Sequence, residues 1–435
     1  PPLKYLLMKH VIGRRMFVGS VGLLAAFGTV SKLVAADAKH REIMIVSGWQ
    51  SANIGDIAHT IGMIRTFQRF LPSVGITIWK VKPDEIVENM IARNFPNVKI
   101  ITTRITKNGF SDSDFERAAE RCCALIHASG PSLIARRYIQ AWRKATSKPY
   151  GVFGITIEKI DDQLRDIVEN SAFFFTRETA SLENLRDFGI KNPNCAFVPD
   201  ATFSFDIRDD RKASEFFANV SPKLPAGKFV CFIPRLRYTP YWKEGRNYPR
   251  EEIERREKVN ALCWERDKPK LLAAMESVLQ RPDFNVLLCP EMTYQVEMCK
   301  ELYGVLAPKY GGRVARRGYW LPDEAASVYS KAAAVVSFEC HSPILALRAG
   351  TPVIYLRQPE DTVKGRMYYD LGLSKWVLEV DKTESPKVVA TVAEILDKPE
   401  WAESYAKASI KAADALFKFG TGKAADVCKL QRGSI

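Results

Sequence analysis

AVVSFECHSPILALRAGTPVIYL, residues 334–356, contains a strand, a turn, a helix, a second turn and a second strand. The apolar runs 334–338 and 353–356 are short enough for buried parallel strands. Between them Ser342 stands where an N-cap is wanted and Pro343 at the first helical position. Gly350 follows where a left-handed C-cap is wanted, and Pro352 blocks continuation. This spacing sets His341 at the carboxyl end of a strand and just ahead of a helix N-terminus. Open parallel sheets bind ligands at that position, and free backbone N–H groups there favour anions. A single histidine is as often structural as functional, so the rest of the chain has to supply the remainder of a site.

Working outward, the same alternation recurs. Upstream, strands at 228–233, 284–288 and 313–316 are separated by helical patterns at 292–306 and 322–330. Further back, strands at 42–47, 76–81, 98–101, 124–127, 150–155 and 172–175 alternate with helices, the first starting at Asp56. One helix between each pair of strands, with short polar connections, predicts parallel α/β sheets. The 435 residues exceed one ordinary core, so two domains are expected. The polar stretch 206–227, with Pro222, Pro225 and Gly227 near its end, marks the boundary. The domains are read as 41–210 and 227–384, followed by C-terminal helices over 385–435. Residues 237–270 are dense in Arg, Lys, Glu, Tyr and Trp. They read either as a solvated excursion or as a lid bringing aromatic stacking and positive charge to a sugar or phosphate.

The loop 48–55, GWQSANIG, joins the first strand to the first helix but lacks G-x-G-x-x-G, so no dinucleotide is expected. The net charge of +14 is scattered, and no nucleic-acid module is recognisable. Nine irregularly spaced cysteines without a C-x-x-C pair suggest neither a disulfide framework nor a zinc site. Residues 1–36 read as a targeting segment: Arg14-Arg15-Met16-Phe17, a short apolar run, then Val34-Ala35-Ala36. The paired arginines resemble a twin-arginine export signal, with Gly13 replacing the usual Ser or Thr. The expectation is export to the periplasm or cell envelope with cleavage after Ala36, an uncleaved amphipathic anchor being the alternative, and membrane contact only through this segment.

Several short motifs occur in a telling order: Asn53-Ile54-Gly55-Asp56, Ser129-Gly130, Thr176-Arg177-Glu178 with Ser181, and Pro199-Asp200. Arg235, His341-Ser342, Gly350-Thr351-Pro352-Val353, and Lys364 ahead of Leu371-Gly372-Leu373 follow. Together they resemble the polysaccharide pyruvyl transferase family. The resemblance implies two Rossmann-like domains facing across a cleft, as in GT-B glycosyltransferases. It also implies transfer of a pyruvyl group from phosphoenolpyruvate to sugar hydroxyls, forming a cyclic ketal; no cofactor and no metal are expected. Such chemistry needs an acid for the enol carbon, a base for the attacking hydroxyl, and cations for phosphate and carboxylate. On that chemistry His341 is expected to do acid/base work with Glu339 beside it, and Arg235, Ser342 and Lys364 to bind the donor, with Arg237 as a further candidate. On the first domain the saccharide acceptor is expected at Asn53, Asp56, Ser129 and Arg177.

The family commonly carries an arginine two residues before the histidine, where this chain has Glu339. On a continued strand Glu339 would project to the side of His341, able to raise the histidine pKa and orient the ring, yet it would repel an anionic donor. Arg237, Arg316 and Arg357 are the candidates to replace the missing charge. Phosphoenolpyruvate is moreover a cytoplasmic metabolite, which sits poorly with export. Two other readings therefore stand: a GT-B-like glycosyltransferase releasing a nucleotide, and a non-catalytic exported glycan-binding protein.

Overall fold

The computed structural model describes residues 42–48, 51–80 and 84–427; the targeting segment expected over 1–36 lies outside them. The first sheet contains β1 (Glu42–Val46), β2 (Gly75–Trp79), β3 (Lys99–Ile101), β6 (Cys122–His127), β7 (Tyr150–Ile155), β8 (Phe173–Thr176) and β9 (Cys195–Phe197). Its order is 3-2-1-6-7-8-9, and every pair is parallel. A hairpin of β4 (Ile105–Thr106) and β5 (Gly109–Phe110) stands apart. The second sheet contains β10 (Phe229–Ile233), β11 (Asn285–Leu288), β12 (Val314–Arg316), β13 (Ala334–Ser337), β14 (Val353–Arg357) and β15 (Val377–Glu379). Its order is 12-11-10-13-14-15, again all parallel. Helices cover both faces, so the central strands are buried throughout and are written as unbroken apolar runs such as FVCFI.

In each sheet the strand order reverses at one place, between β1 and β6 and between β10 and β13. A crevice opens at the carboxyl ends of strands at such a reversal. Asn53 and Ser129 follow β1 and β6; Arg235 and His341 follow β10 and β13. The four motifs thus mark the two reversal points.

One local expectation is corrected, and two further stretches gain detail. The first helix runs Ile54–Phe70 rather than from Asp56, because the Asn53 side chain caps it by accepting from the Gly55 N–H at 2.7 Å. The boundary stretch 206–227 contains the helix Asp210–Asn219, started by Asp209 accepting from Lys212 N–H. Residues 237–270 hold a short 3₁₀ turn, Tyr241–Glu244, and most of a long helix, Arg250–Leu279, that carries Pro269 inside it. Gly350 does adopt the left-handed conformation (φ 86°) expected of the C-cap.

The C-terminal helices divide their work. Ser385–Asp397 packs on Arg250–Leu279 beside the second sheet. Pro399–Val427 starts against Trp376, where the rings of Trp401 and Tyr405 stack edge-on, and ends with Phe417 against Phe153 of β7. Asp414 of this helix pairs with Arg69 at 2.6 Å and with Arg348 at 2.9 Å, tying the two halves together. One apolar core accordingly runs from Ile43 and Ile45 through Phe232 and Val336 to Ile395 and Phe417.

The helix Ile54–Phe70 is held against the 3₁₀ turn Ala201–Ser204 by close backbone approach at Gly62. A Cβ at Gly62 would stand 2.0 Å from the Ala201 carbonyl oxygen. Gly62→Ala should cost about 1–3 kcal/mol through overpacking, read as a lower urea midpoint; an unchanged midpoint would contradict this packing.

Candidate active site

The first half of the site is built on the Ile54–Phe70 helix. His59 lies one helical turn after Gly55, on the same face, and is 2% exposed. Its Nδ1 lies 2.9 Å from Asp200 Oδ1 and 2.8 Å from Ser129 Oγ. Ser129 donates to Asp200 Oδ1 at 3.2 Å and accepts from the Ala201 N–H at 3.1 Å. Asp200 also accepts from the Thr202 N–H and hydroxyl at 2.9 and 2.8 Å, and from Arg177 Nη1 at 2.7 Å. Burial works against the Asp200 charge, but His59 and Arg177 outweigh it and hold its carboxyl well below the usual range. Arg177 is fully buried and donates through Nε to Thr156 Oγ1 at 2.8 Å.

The second half is the turn quoted at the outset. His341 opens the helix His341–Arg348, and the residue before it, Cys340, gives no side-chain cap. Ser342 does not cap the helix either: its hydroxyl accepts from Tyr329 Oη at 3.2 Å. The cap comes from another element, since the Ser342 N–H donates to Glu291 Oε2 at 2.6 Å. Glu291 Oε1 lies 3.4 Å from His341 Nδ1. Burial opposes the imidazolium, but Cys340 and Glu291 outweigh it and place the His341 pKa well above its ordinary value.

The carboxylate beside the histidine is thus Glu291, not Glu339 as the strand register suggested. Glu339 turns to Gln295, whose Nε2 donates to it at 2.6 Å, and to Arg235, whose Nε is 3.4 Å away. Burial lifts its pKa to about 7, against the opposing pull of Arg235.

The two histidines meet. Their ring centroids are 4.9 Å apart and their planes 83° to one another. Gly55 makes this possible, because a Cβ there would fall 2.2 Å from His341 Nδ1. Asp56 belongs to the same group: burial raises its pKa, while His59 and His341 pull it down.

Beside them lies a cationic corner. Arg235 Nη1 donates to Asp361 Oδ1 at 2.6 Å, and Lys364 Nζ reaches the same oxygen at 3.0 Å. Tyr355 donates to the other Asp361 oxygen. Arg237, two residues on, is fully engaged elsewhere: Asp267 at 2.7 Å, Glu360 at 3.0 Å and Asp381 at 2.5 Å surround its guanidinium. Arg357 pairs with Glu379 at 2.7 Å. The structure therefore brings together Asn53, Asp56, Ser129, Arg177, Arg235, Glu339, His341, Ser342 and Lys364. It engages Arg237 in a separate knot of carboxylates.

The residues that sequence reasoning missed are His59, Glu291, Gln295 and Asp361, with Asp200 seen only as part of a motif. His59 had one available signal, its spacing of four from Gly55 on a helix; the others are joined to the site only through space. His127 shows what a structural histidine looks like here. Its Nδ1 contacts the Ala128 carbonyl at 2.7 Å, its Nε2 accepts from the Ala135 N–H at 3.2 Å, and burial lowers its pKa to about 4.

Comparison with known proteins agrees with this architecture. UDP-GlcNAc 2-epimerase from Neisseria meningitidis is similar in structure with a TM-score of 0.57 at 12% identity, over 88% of this chain and 100% of that one. A putative UDP-N-acetylglucosamine 2-epimerase from Listeria monocytogenes gives 0.55 at 12% identity, over 85% and 91%. Anabaena HepE in complex with UDP gives 0.53 at 10% identity, over 89% and 100%. At such identities the likeness is one of fold: two Rossmann-like domains in the GT-B arrangement. No curated protein matches by sequence. A family model, polysaccharide pyruvyl transferase, matches residues 53–358. That span opens at the Asn53 cap, closes just past β14 and takes in both histidines, and since it covers more than half of the sequence the chain belongs to the polysaccharide pyruvyl transferase family.

Proposed function

We propose that this transferase takes phosphoenolpyruvate as donor and builds a cyclic pyruvate ketal on a pair of saccharide hydroxyls. The observation that carries the reading is the buried His341, with Glu291 Oε1 3.4 Å from its Nδ1, in a site that also holds the buried Arg235 and the half-buried Lys364 on Asp361. An enol phosphate needs a proton at its methylene carbon before an oxygen can add to its central carbon. His341 is the group poised to deliver it. Arg235 and Lys364 suit the donor's phosphate and carboxylate, the arginine through paired N–H groups and the lysine as a point charge. Asp200, Ser129 and Arg177 serve to hold the first-domain side of the cleft in place. The saccharide enters past Tyr241 and Trp242, where Arg246 lies 4.0 Å over the Tyr241 ring and Trp242 packs edge-on to Tyr248.

Glu339 then acts as a resident anion. It and Asp361 neutralise Arg235 when the site is empty, and a burial of that arginine without them would be costly. Donor binding displaces Glu339 or requires it to be protonated. With its pKa lifted to about 7, protonation lies within reach of neutral pH. The glycan-binding reading rests on the same residue, because a permanently charged Glu339 would exclude the donor.

Three outcomes follow. Calorimetric titration with phosphoenolpyruvate should show affinity rising as pH falls from about 8 to 6, since protonating Glu339 removes the competing anion. Glu339→Gln should bind about tenfold tighter at the upper pH, a gain of about 1.4 kcal/mol, and lose most of the dependence. Failure of both wild type and Glu339→Gln to bind the donor would leave the binding-protein reading. His341→Gln should lower phosphate release in the presence of methyl glycosides by about 100-fold or more; undiminished release would remove His341 from the chemistry.

A further inference from the structure

We propose that His59 is the second proton-transfer residue of this site, the base that takes the proton of the attacking sugar hydroxyl. The proposal rests on the phosphoenolpyruvate reading for the identity of the donor, but its evidence is separate. Two buried histidines meet at 4.9 Å between ring centroids, one from each domain. Each has its Nδ1 at a buried carboxylate: Asp200 at 2.9 Å for His59, Glu291 at 3.4 Å for His341. Each has a buried Nε2 with no hydrogen-bond partner. Buried polar atoms without partners are uncommon and call for a ligand, a water or a catalytic task. His127, with both nitrogens satisfied, shows that this chain pairs a histidine fully when its role is structural.

A metal ion is the competing explanation, because His59, Asp200 and His341 can offer one ligating atom each, all within 4.8 Å of one another. Asp200 argues against it. Its two oxygens already face five donors: His59 Nδ1, the Ser129 hydroxyl, the Thr202 N–H and hydroxyl, and Arg177 Nη1. Four of these donors crowd Oδ1, and the free side of Oδ2 lies beside the Arg177 guanidinium at 2.7 Å, whose charge would repel a metal ion. Asp200 therefore orients His59. Because an ionised carboxylate only accepts, the nitrogen of His59 facing Asp200 is the N–H, and in the neutral ring this leaves the lone pair on Nε2. Ser129 reinforces the same tautomer and is a positioning residue. The other titratable groups around His59 are Asp56, His127 and His341.

The two histidines complete the proton balance of ketal formation. In the first addition the His341 imidazolium gives its proton to the donor's methylene carbon, which becomes a methyl group. The first sugar oxygen bonds to the central carbon, and its proton passes to His59 Nε2. In the second step the phosphate leaves with its C–O electron pair and takes the His59 proton. The second sugar oxygen bonds to the same carbon, and its proton passes to the now neutral His341. Both rings return to their starting states, and the products are the ketal and hydrogen phosphate.

The test begins without any substrate. Nitrogen-15 histidine spectra of the full-length wild-type protein should show His59 with its proton on Nδ1 and a bare Nε2 at neutral pH, and Asp200→Asn should disturb that tautomer. A wild-type His59 protonated on Nε2 overturns the base assignment whatever the donor proves to be. With phosphoenolpyruvate and methyl glycosides, His59→Gln should lose about 100-fold or more in phosphate release while keeping its donor affinity within about twofold, whereas His341→Gln loses both. Ser129→Ala should fall between and mix the tautomers. Wild-type turnover by His59→Gln, or stoichiometric binding of zinc or manganese that disappears in His59→Gln, overturns the proposal. If wild type fails to bind phosphoenolpyruvate, the donor reading falls, and the His59 spectrum still decides the base.

Discussion

Glu291 is the point through which the two halves of the site are fixed to each other. It is fully buried at the carboxyl end of the second sheet. Its backbone carbonyl accepts from the Ile54 N–H at 3.1 Å, at the start of the first-domain helix. Its side chain accepts from the Ser342 N–H at 2.6 Å, at the start of the His341–Arg348 helix. The neighbouring contacts, Asn53 bridging to Met292 and the Thr293 N–H to the Ala52 carbonyl at 3.2 Å, extend the same seam. A buried carboxylate is costly unless it is paired, so Glu291 and the His341 cation require one another. The position of His341, the close approach of Gly55 and the meeting of the two rings all follow from that pairing.

Gln295 carries the constraint to the cationic corner of Arg235 and Lys364. Its Oε1 accepts from the Glu291 and Met292 N–H groups at 2.6 and 3.0 Å, while its Nε2 donates to Glu339. Glu339 leads to Arg235, Arg235 to Asp361, and Asp361 to Lys364. Positive and negative groups alternate along this line, which keeps buried charges compensated while the site is empty. An anionic ligand entering here would have to break the alternation at one member. Glu339, lifted to about 7 by burial, is the member that neutralises most readily.

The architecture was legible because buried parallel strands are written as unbroken apolar runs, and their helices as caps and periodic stripes. His341, Arg235, Asn53 and Ser129 could be placed at strand ends for the same reason. What the residues could not convey was pairing through space. Ser342 reads as a cap by local rules, yet a carboxylate from a distant loop caps that helix. Glu339 reads as the partner of His341 by strand parity, but the chain leaves the strand at Ser337, and parity ends with it. His59 lies inside an ordinary amphipathic helix and gains meaning only when Asp200, far along the chain, closes on it. The last stretch reads only as helical, and where it packs became visible only with its Phe417 against Phe153 of the first sheet.

The most direct measurement is a crystal structure of the protein with phosphoenolpyruvate. The account predicts the donor's anionic groups against Arg235 and Lys364, Glu339 turned away from the arginine, and the enol carbons facing the Nε2 atoms of His341 and His59. A donor bound elsewhere, as in the basic groove formed by Lys212, Arg316 and Arg317, with the two histidines undisturbed, would contradict it.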